Sequence, residues 1–392
     1  MVKCVKCGLP DDVLKAGFVR GNQRYYCKAC EYHFTEARPV GTLSRRRRQA
    51  TISDVARQVG VAASTVSRAL NGHTDISSPT RQAILEAARQ LNYQPNLLAQ
   101  SLKNRATYTV GVVIPDIERP FFAAAVSGIQ QVASEAGYRV MICQSKESYT
   151  TEVSNVQALI ASQVDGLLIC HSRETENFDH VLPEACRGIP VVHFDRVDEA
   201  VSSSRVMIDD WSGAFAVTEH LILEGCRRIA VLAGPESLLI SRQRVAGYRS
   251  ALHQYQLPFE PEWVVYGNFQ TESTLATLHH WLALPEPPDA IFAIRYTDAF
   301  TVIAELKRRR LRIPQDVAVA GFGDEFLATM IEPSLTTVDL HPQRIGQQAA
   351  QLFLEQIAQQ DQFQPRTCVI SGDLIIRQSS LKNQGELFRL QI

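Results

Sequence analysis

The sequence predicts a multidomain chain in three parts: a four-cysteine metal ribbon, an all-α helix-turn-helix headpiece, and a two-lobed α/β core. Three observations predict it. Two Cys-x2-Cys knuckles near the N-terminus are separated by 19 residues. Two short runs with helical apolar spacing then meet at Gly60. From residue 108 onward, short apolar runs alternate with amphipathic ones. At 392 residues the chain exceeds one ordinary domain, and 45% hydrophobic with 21% charged residues is a composition that folds.

The net charge of −1 conceals a segregation. Residues 1–107 hold 17 Lys/Arg against 7 Asp/Glu, which leaves 23 against 34 in the remainder. A basic front and an acidic rear suit a head that meets a polyanion while the body stays in solution. No run of about 18 apolar residues occurs, so no membrane span is expected. The N-terminus lacks a secretory pattern, so the expected location is the cytoplasm. Thiols stay reduced there, and Cys143, Cys170, Cys186, Cys226 and Cys368 read as small hydrophobes.

In residues 1–40, Cys4, Cys7, Cys27 and Cys30 have the paired-knuckle spacing of a four-thiolate site. One structural zinc ion is the expected cofactor, with iron in the same cage as the alternative. A segment of about 40 residues has too small a core to fold alone, so the metal should supply the folding energy. Lys3, Lys6, Lys15, Arg20, Arg24 and Lys28 offer an auxiliary DNA contact; the other reading is an appendage that meets protein or nothing. Residues 41–50 form a basic linker, with Arg45 to Arg48 either touching phosphate or serving as a solvated tether.

The headpiece is expected over residues 51–95. Ile52, Val55, Ala56 and Val59 give the first helix one buried face, and Gly60 makes the turn. In the second helix Val66, Ala69 and Leu70 point inward, leaving Ser64, Thr65, Ser67 and Arg68 outward. Short hydroxyls and an Arg on an exposed helix are what a major-groove reader needs.

Strands are expected at 110–114, 139–143, 166–170 and 190–194, with helices near 121–136, 151–162 and 177–186. A second series places strands at 229–232, 263–266, 290–293 and 317–320, with helices near 212–224, 242–255, 271–283 and 297–309. Two runs of four strands predict two similar parallel-sheet lobes, with ligand at their junction. Phe121 and Phe122, Arg242 and Arg244, and Phe269 each follow a strand, where aromatic faces and an Arg make a small-ligand site. Either Phe also fits a packed core position.

The stretch from Thr51 to Gly72, then Ser77-Ser78-Pro79-Thr80-Arg81 and Leu91-Asn92-Tyr93-Gln94-Pro95-Asn96, resembles the headpiece of the lactose-repressor (LacI/GalR) family. The landmarks Gly111 to Asp116, Val164-Asp165-Gly166, Gly225 to Pro235, Ile313 to Asp316 and Pro333 to Thr337 resemble that family's effector core. The ribbon is similar instead to zinc ribbons of some bacterial transposases. The resemblance implies a hinge helix over residues 96–107, whose Leu102 wedges into the minor groove. It also implies a type I periplasmic-binding-protein-like core over residues 108–380, followed by a tail at 381–392. Lobe one is then expected at about 108–197 and 338–365, and lobe two at about 198–337 and 366–380.

By the same resemblance the DNA contacts are Thr51, Ser53, Ala63, Ser64, Thr65, Ser67, Arg68, Asn71, Asn96, Ala99 and Leu102. The resemblance places Phe122, Arg244 and Phe269 in the effector pocket, and Phe121 and Tyr296 complete the expected effector contacts. The implied function is a ligand-responsive regulator, expected to repress carbohydrate-related genes as a homodimer on double-stranded operator DNA; an activator or dual regulator is the alternative. Two departures stand out. Ala62 replaces the usual Ser N-cap, which costs about 0.5–2 kcal/mol of local helix stability. Arg295 and Tyr296 replace the family's Asn-Asp, so the usual grip on sugar hydroxyls is in doubt and a sugar phosphate or carboxylated ligand suits the added charge. Asp298 is a candidate substitute for the lost carboxylate. An enzyme on this core is opposed by the absence of G-x-G-x-x-G, G-x-x-x-x-G-K-[ST] and H-E-x-x-H. A sugar-transport component is opposed by the headpiece.

Overall fold

The computed structural model describes residues 2–10, 12–19, 22–35, 50–94, 106–197, 201–323 and 326–382. The chain divides into two compact units, Met1–Gln100 and Ser101–Ile392. The expected linker arginines at 45–48, the hinge residues Asn96, Ala99 and Leu102, and Arg20 lie outside the described residues.

In the first unit, β1 (Val13–Val19), β2 (Asn22–Cys27) and β3 (Tyr32–Thr35) form an antiparallel sheet in that order. Its core is small: Cys4, Cys27 and Phe34 are buried, with Val2, Val13, Tyr25 and Cys30 packed against them. Three helices follow: α1 (Ile52–Val59), α2 (Ala63–Leu70) and α3 (Ser78–Gln90). Thr51 starts α1 with its N–H and Oγ1 both bonded to Asp54 Oδ2, at 2.9 and 2.7 Å. Gly60 ends it at φ 75°, a left-handed turn that a Cβ would strain. Val55, Ala56, Val66, Ala69, Ile84 and Ala87 form the buried centre of the three helices. Ile52, Val59, Leu70, Ala88 and Leu91 close around it.

The second unit holds two parallel sheets. The larger contains β4 (Thr109–Ile114), β5 (Arg139–Gln144), β6 (Gly166–Ile169), β7 (Val191–Phe194), β8 (Ser204–Ile208) and β14 (Thr367–Ile370), in the order β14-β8-β7-β6-β4-β5. The smaller contains β9 (Ile229–Ala233), β10 (Val264–Tyr266), β11 (Ala290–Ala293) and β12 (Ala318–Ala320), in the order β10-β9-β11-β12. A two-stranded pair, β13 (Thr337–Asp339) with β15 (Asp373–Ile375), lies where the chain passes between lobes.

The helices of this unit are α4 (Pro120–Glu135), α5 (Tyr149–Ala161), α6 (Asp210–Leu223), α7 (Leu239–Gln254), α8 (Thr271–Leu282), α9 (Tyr296–Arg308), α10 (Phe326–Met330) and α11 (Pro342–Gln359). Strand and helix alternate because the strands read as apolar runs buried on both faces, which βαβ crossovers require.

Two expectations change. Lobe one is larger than its sequence boundaries, since β8 pairs with β7 and β14 pairs with β8. Residues 204–208 and 367–370, expected in lobe two, therefore complete the first sheet. The helix expected at 177–186 is only a 3-10 turn, Asp179–Val181. Asn177 caps that turn through its own side chain, accepting from the Asp179 N–H at 2.7 Å, and Pro183 removes a helical donor. Gln360 to Gln362 likewise make one short 3-10 turn after α11.

Helices α4 and α11 meet backbone to backbone. A Cβ on Gly346 would overlap the Ala125 carbonyl oxygen, and one on Gly128 the Gln343 carbonyl oxygen. Gly346→Ala should therefore force the helices apart and destabilise the core by about 1–3 kcal/mol. Urea unfolding checks this; an unchanged midpoint would mean the contact has slack.

Candidate functional site

The exposed face of α2 is the first candidate. Ser64, Arg68 and Asn71 are exposed, while Ala63, Thr65 and Ser67 are half-buried, so the outward stripe is narrower than the periodicity predicts. Thr51 and Ser53 are exposed at the start of α1. Arg68 is held by an ion pair to Asp75, which keeps its guanidinium beside the helix. Asn71 Nδ2 stands 3.5 Å from Ser67 Oγ. Ala62 occupies the N-cap in extended conformation and supplies no side-chain bond, as the missing hydroxyl implies.

The four ribbon cysteines converge. Cys4 Sγ lies 3.5 Å from Cys30 Sγ, and Cys7 Sγ lies 3.6 Å from Cys27 Sγ. Sulfurs about 2.3 Å from a tetrahedral ion stand roughly 3.8 Å apart, so the four could hold a metal with little movement. The Lys6 N–H reaches Cys4 Sγ at 3.4 Å, and the Gly8 N–H donates to the Cys4 carbonyl at 2.9 Å. Burial acts against ionising Cys4, but backbone N–H groups and neighbouring thiols outweigh it and lower its pKa to about 6.

The third candidate is a cavity of about 320 Å³ between the two lobes. Phe121, Phe122, Arg244, Phe269 and Tyr296 line it as expected, whereas Arg242 does not, its guanidinium donating to the Glu236 and Ser237 carbonyls at 3.0 and 2.6 Å. Phe121 and Phe122 stand at the start of α4, their rings edge to face with centroids 5.3 Å apart. Arg244 comes from α7, Tyr296 from the first position of α9, and Phe269 from the loop after β10. Phe269 has φ 61°, a conformation costing a non-glycine about 1–3 kcal/mol, so its ring is held there by its surroundings.

The cavity also gathers Arg295, whose added charge the sequence singles out, and Arg119, Asp195 and Arg196, which the sequence does not mark. Arg196 donates to both Glu147 oxygens, at 2.6 and 3.0 Å, and to the His171 carbonyl at 3.3 Å. Burial raises the Glu147 pKa, but the attraction of Arg196 prevails and leaves the carboxyl below its ordinary value. Burial pushes the Asp195 carboxyl up to about 6 against the pull of Arg196. Arg119 stands 3.5 Å from Glu147 and 3.6 Å from Asp116, yet its guanidinium makes no hydrogen bond among the described residues.

Two sequence expectations are refined by this geometry. Arg244 lines the cavity, but its donors are engaged: Nε reaches Asp210 Oδ1 at 2.8 Å and Nη1 the Ile294 carbonyl at 2.5 Å. Its guanidinium also lies 3.9 Å from the Phe322 ring centroid. Asp298 does not replace the lost carboxylate. Arg295 holds it through two bonds of 2.8 and 2.9 Å, and Thr274 Oγ1 donates to it at 3.0 Å.

The headpiece and core each match a family model. Residues 51–96 match the bacterial regulatory proteins of the lacI family, and residues 107–378 match the periplasmic binding proteins and sugar binding domain of the LacI family. The chain belongs to the LacI family. Neither match reaches the ribbon. This LacI-family chain is 31% identical over 331 residues to the HTH-type transcriptional repressor PurR of Actinobacillus pleuropneumoniae, covering 84% of the chain and 98% of the relative. The Haemophilus influenzae repressor of the same name is 31% identical over 334 residues, covering 84% and 98%. Among solved structures, the lac repressor dimer bound to operator and the anti-inducer ONPF has a TM-score of 0.76 at 25% identity, covering 85% of this chain and all of that one. The transcriptional regulator CelR–cellobiose complex has a TM-score of 0.63 at 30% identity, covering 84% and 99%. The LacI-family chain is thus a DNA-binding, ligand-responsive transcriptional regulator, and its relatives are repressors rather than enzymes. No helix among the described residues is long and apolar enough to cross a membrane.

Proposed function

We propose that the chain is a cytoplasmic repressor that grips a pseudo-palindromic operator as a homodimer, its hold set by a small molecule in the interlobe cavity. The observation that carries this reading is the α2 surface. The helix buries Val66 and Ala69 and presents Ser64, Arg68 and Asn71 on a short three-helix headpiece. Placed in a major groove, Arg68 would exchange Asp75 for a guanine edge, and the hydroxyls would reach bases or phosphates. Thr51 and Ser53 at the start of α1 would meet the backbone. Asn96, Ala99 and Leu102 would act between the half-sites, with Leu102 opening a central base step.

Arg68→Ala should weaken binding to a duplex selected by the wild-type protein by about 10–100-fold, the worth of one bidentate base contact. Fluorescence anisotropy at several salt concentrations measures it. An unchanged affinity would remove Arg68 from the interface.

The effector we propose for the cavity is a sugar ring carrying one anionic group. Aromatic walls from Phe121, Phe122, Phe269 and Tyr296 suit the apolar faces of a ring. Arg119 and Arg196 share the carboxylate of Glu147, and Arg119 meets Glu147 and Asp116 only at 3.5 and 3.6 Å, so its donors can turn to an anion. Glucose 6-phosphate should therefore raise the melting temperature more than glucose. Arg119→Gln should cut the phosphate's affinity by about 10–100-fold, since a charge-assisted bond contributes about 1.5–3 kcal/mol. Glucose binding as tightly as its phosphate would overturn the anionic assignment.

In the ribbon, one zinc ion held by Cys4, Cys7, Cys27 and Cys30 would order residues 2–35. Lys3, Lys6, Lys15, Arg24 and Lys28 then give that module a cationic surface for DNA flanking the operator.

A further inference from the structure

A second cluster of metal-ligating side chains lies in the interior of lobe one, apart from the ribbon and outside the lining of the interlobe cavity. Glu152 sits in the first turn of α5, His171 just after β6, and His180 on the 3-10 turn Asp179–Val181. His171 Nδ1 is 2.8 Å and His180 Nε2 is 2.9 Å from the same oxygen, Glu152 Oε1. All three donor atoms fall within 4.8 Å of one another. The side chains of His171, His180 and Glu152 are 4%, 5% and 0% exposed, so bulk water does not solvate the carboxylate. The two rings stand nearly perpendicular, at 83°, and so approach the shared oxygen from different directions.

We propose that Glu152, His171 and His180 bind a divalent transition metal, with zinc the ion their nitrogen and oxygen donors fit best. Three further features support the site. First, the surrounding groups brace the ligands as metal sites require. The Ser172 N–H and Thr175 Oγ1 donate to Glu152 Oε2 at 2.5 and 3.1 Å, and His193 Nδ1 stands 2.8 Å from His171 Nε2. Second, Glu152 is a fully buried carboxylate with no Lys or Arg partner among the described residues, a burial that costs several kcal/mol without a compensating charge. An ion supplies that charge.

Third, the protons have somewhere to go. With all three imidazoles neutral and no metal bound, these contacts require His171 Nδ1–H and His180 Nε2–H to donate to Glu152, and His193 Nδ1–H to donate to His171 Nε2. With metal on His171 Nδ1 and His180 Nε2, those lone pairs are needed. The His180 proton moves to its Nδ1. The His171 proton moves to Nε2 and donates to His193 Nδ1, whose own proton moves to Nε2. His180 Nδ1 and His193 Nε2 are buried atoms with no hydrogen-bond partner, so these shifts break no other bond and release no proton. The site also touches the cavity wall, because the His171 carbonyl accepts from Arg196 Nη1. An ion here would brace the loop that carries Arg196's support.

The test uses the full-length chain, stripped by chelator and reconstituted with zinc, with metal counted by mass spectrometry. Two ions per chain are expected. A Cys4→Ser/Cys7→Ser variant should keep one, and cobalt in that variant should give visible d–d bands without a thiolate charge-transfer band. Adding His180→Gln should lower the affinity of this remaining ion by at least about tenfold. Glu152→Gln is the second variant, with circular dichroism confirming that each core is folded. A folded cysteine variant that retains no ion overturns the proposal. So does an ion that survives both His180→Gln and Glu152→Gln.

Discussion

Glu147→Gln should destabilise the core by about 3–5 kcal/mol, the usual cost of stranding one member of a buried ion pair. Arg196 is 8% exposed and spends two of its donors on Glu147, so the neutral amide leaves a buried guanidinium without its counter-charge. Arg119 loses the same partner and keeps only the 3.6 Å ion pair to Asp116. The pair also makes a pH prediction. The folded Glu147 pKa lies below its ordinary value of 4.5, so its contribution is fully present above about pH 4.5 and fades as pH falls through the folded value. The wild-type core should therefore lose stability on acidification more steeply than the Gln variant. Urea unfolding followed between pH 3 and pH 7 separates the two (roughly one pH unit resolves a single carboxylate). Parallel pH curves for both proteins would mean that Glu147 is not the group that responds.

Much of this architecture was legible in the residues, for reasons that can be named. The headpiece was readable because Val55, Ala56, Val66 and Ala69 recur at helical spacing around a glycine that needs a positive φ. The cavity aromatics were readable because residues just past parallel strands face the junction of two lobes. Arg119 and Arg196 were not read, because their role depends on Glu147, 49 residues from Arg196 and on a different loop. Local spacing carries no trace of such a pairing. The role of Asp298 was misread for a related reason: its neighbour Arg295, three residues away, claims it once α9 forms.

The missed strands have a different cause. β8 alternates buried and half-buried positions, and β14 is an edge strand with Thr367 and Val369 exposed and only Ile370 buried, so neither shows the continuous apolar run of the central strands. The cluster of Glu152, His171 and His180 has no helical or knuckle spacing at all. It forms only when α5, β6 and the 3-10 turn pack together.

Chelating the ribbon metal should unfold residues 2–35 while leaving the core transition in place. Among the described residues there, the buried hydrophobic side chains are Cys4, Cys27 and Phe34, while Val5, Leu14 and Phe18 are 70%, 48% and 73% exposed. So small a core cannot by itself offset the conformational entropy lost on ordering the segment. A four-thiolate zinc supplies folding free energy of about 10–16 kcal/mol. Hydrogen exchange on the intact chain should then show fast amides in β1, β2 and β3 after chelation, and in a Cys27→Ser variant without it. Protection in α1, α2 and α3 should be unchanged, because their buried apolar centre contains no cysteine. If the β1–β3 amides stay protected after the metal has gone, the sheet has another source of stability and the four cysteines are not its fastening.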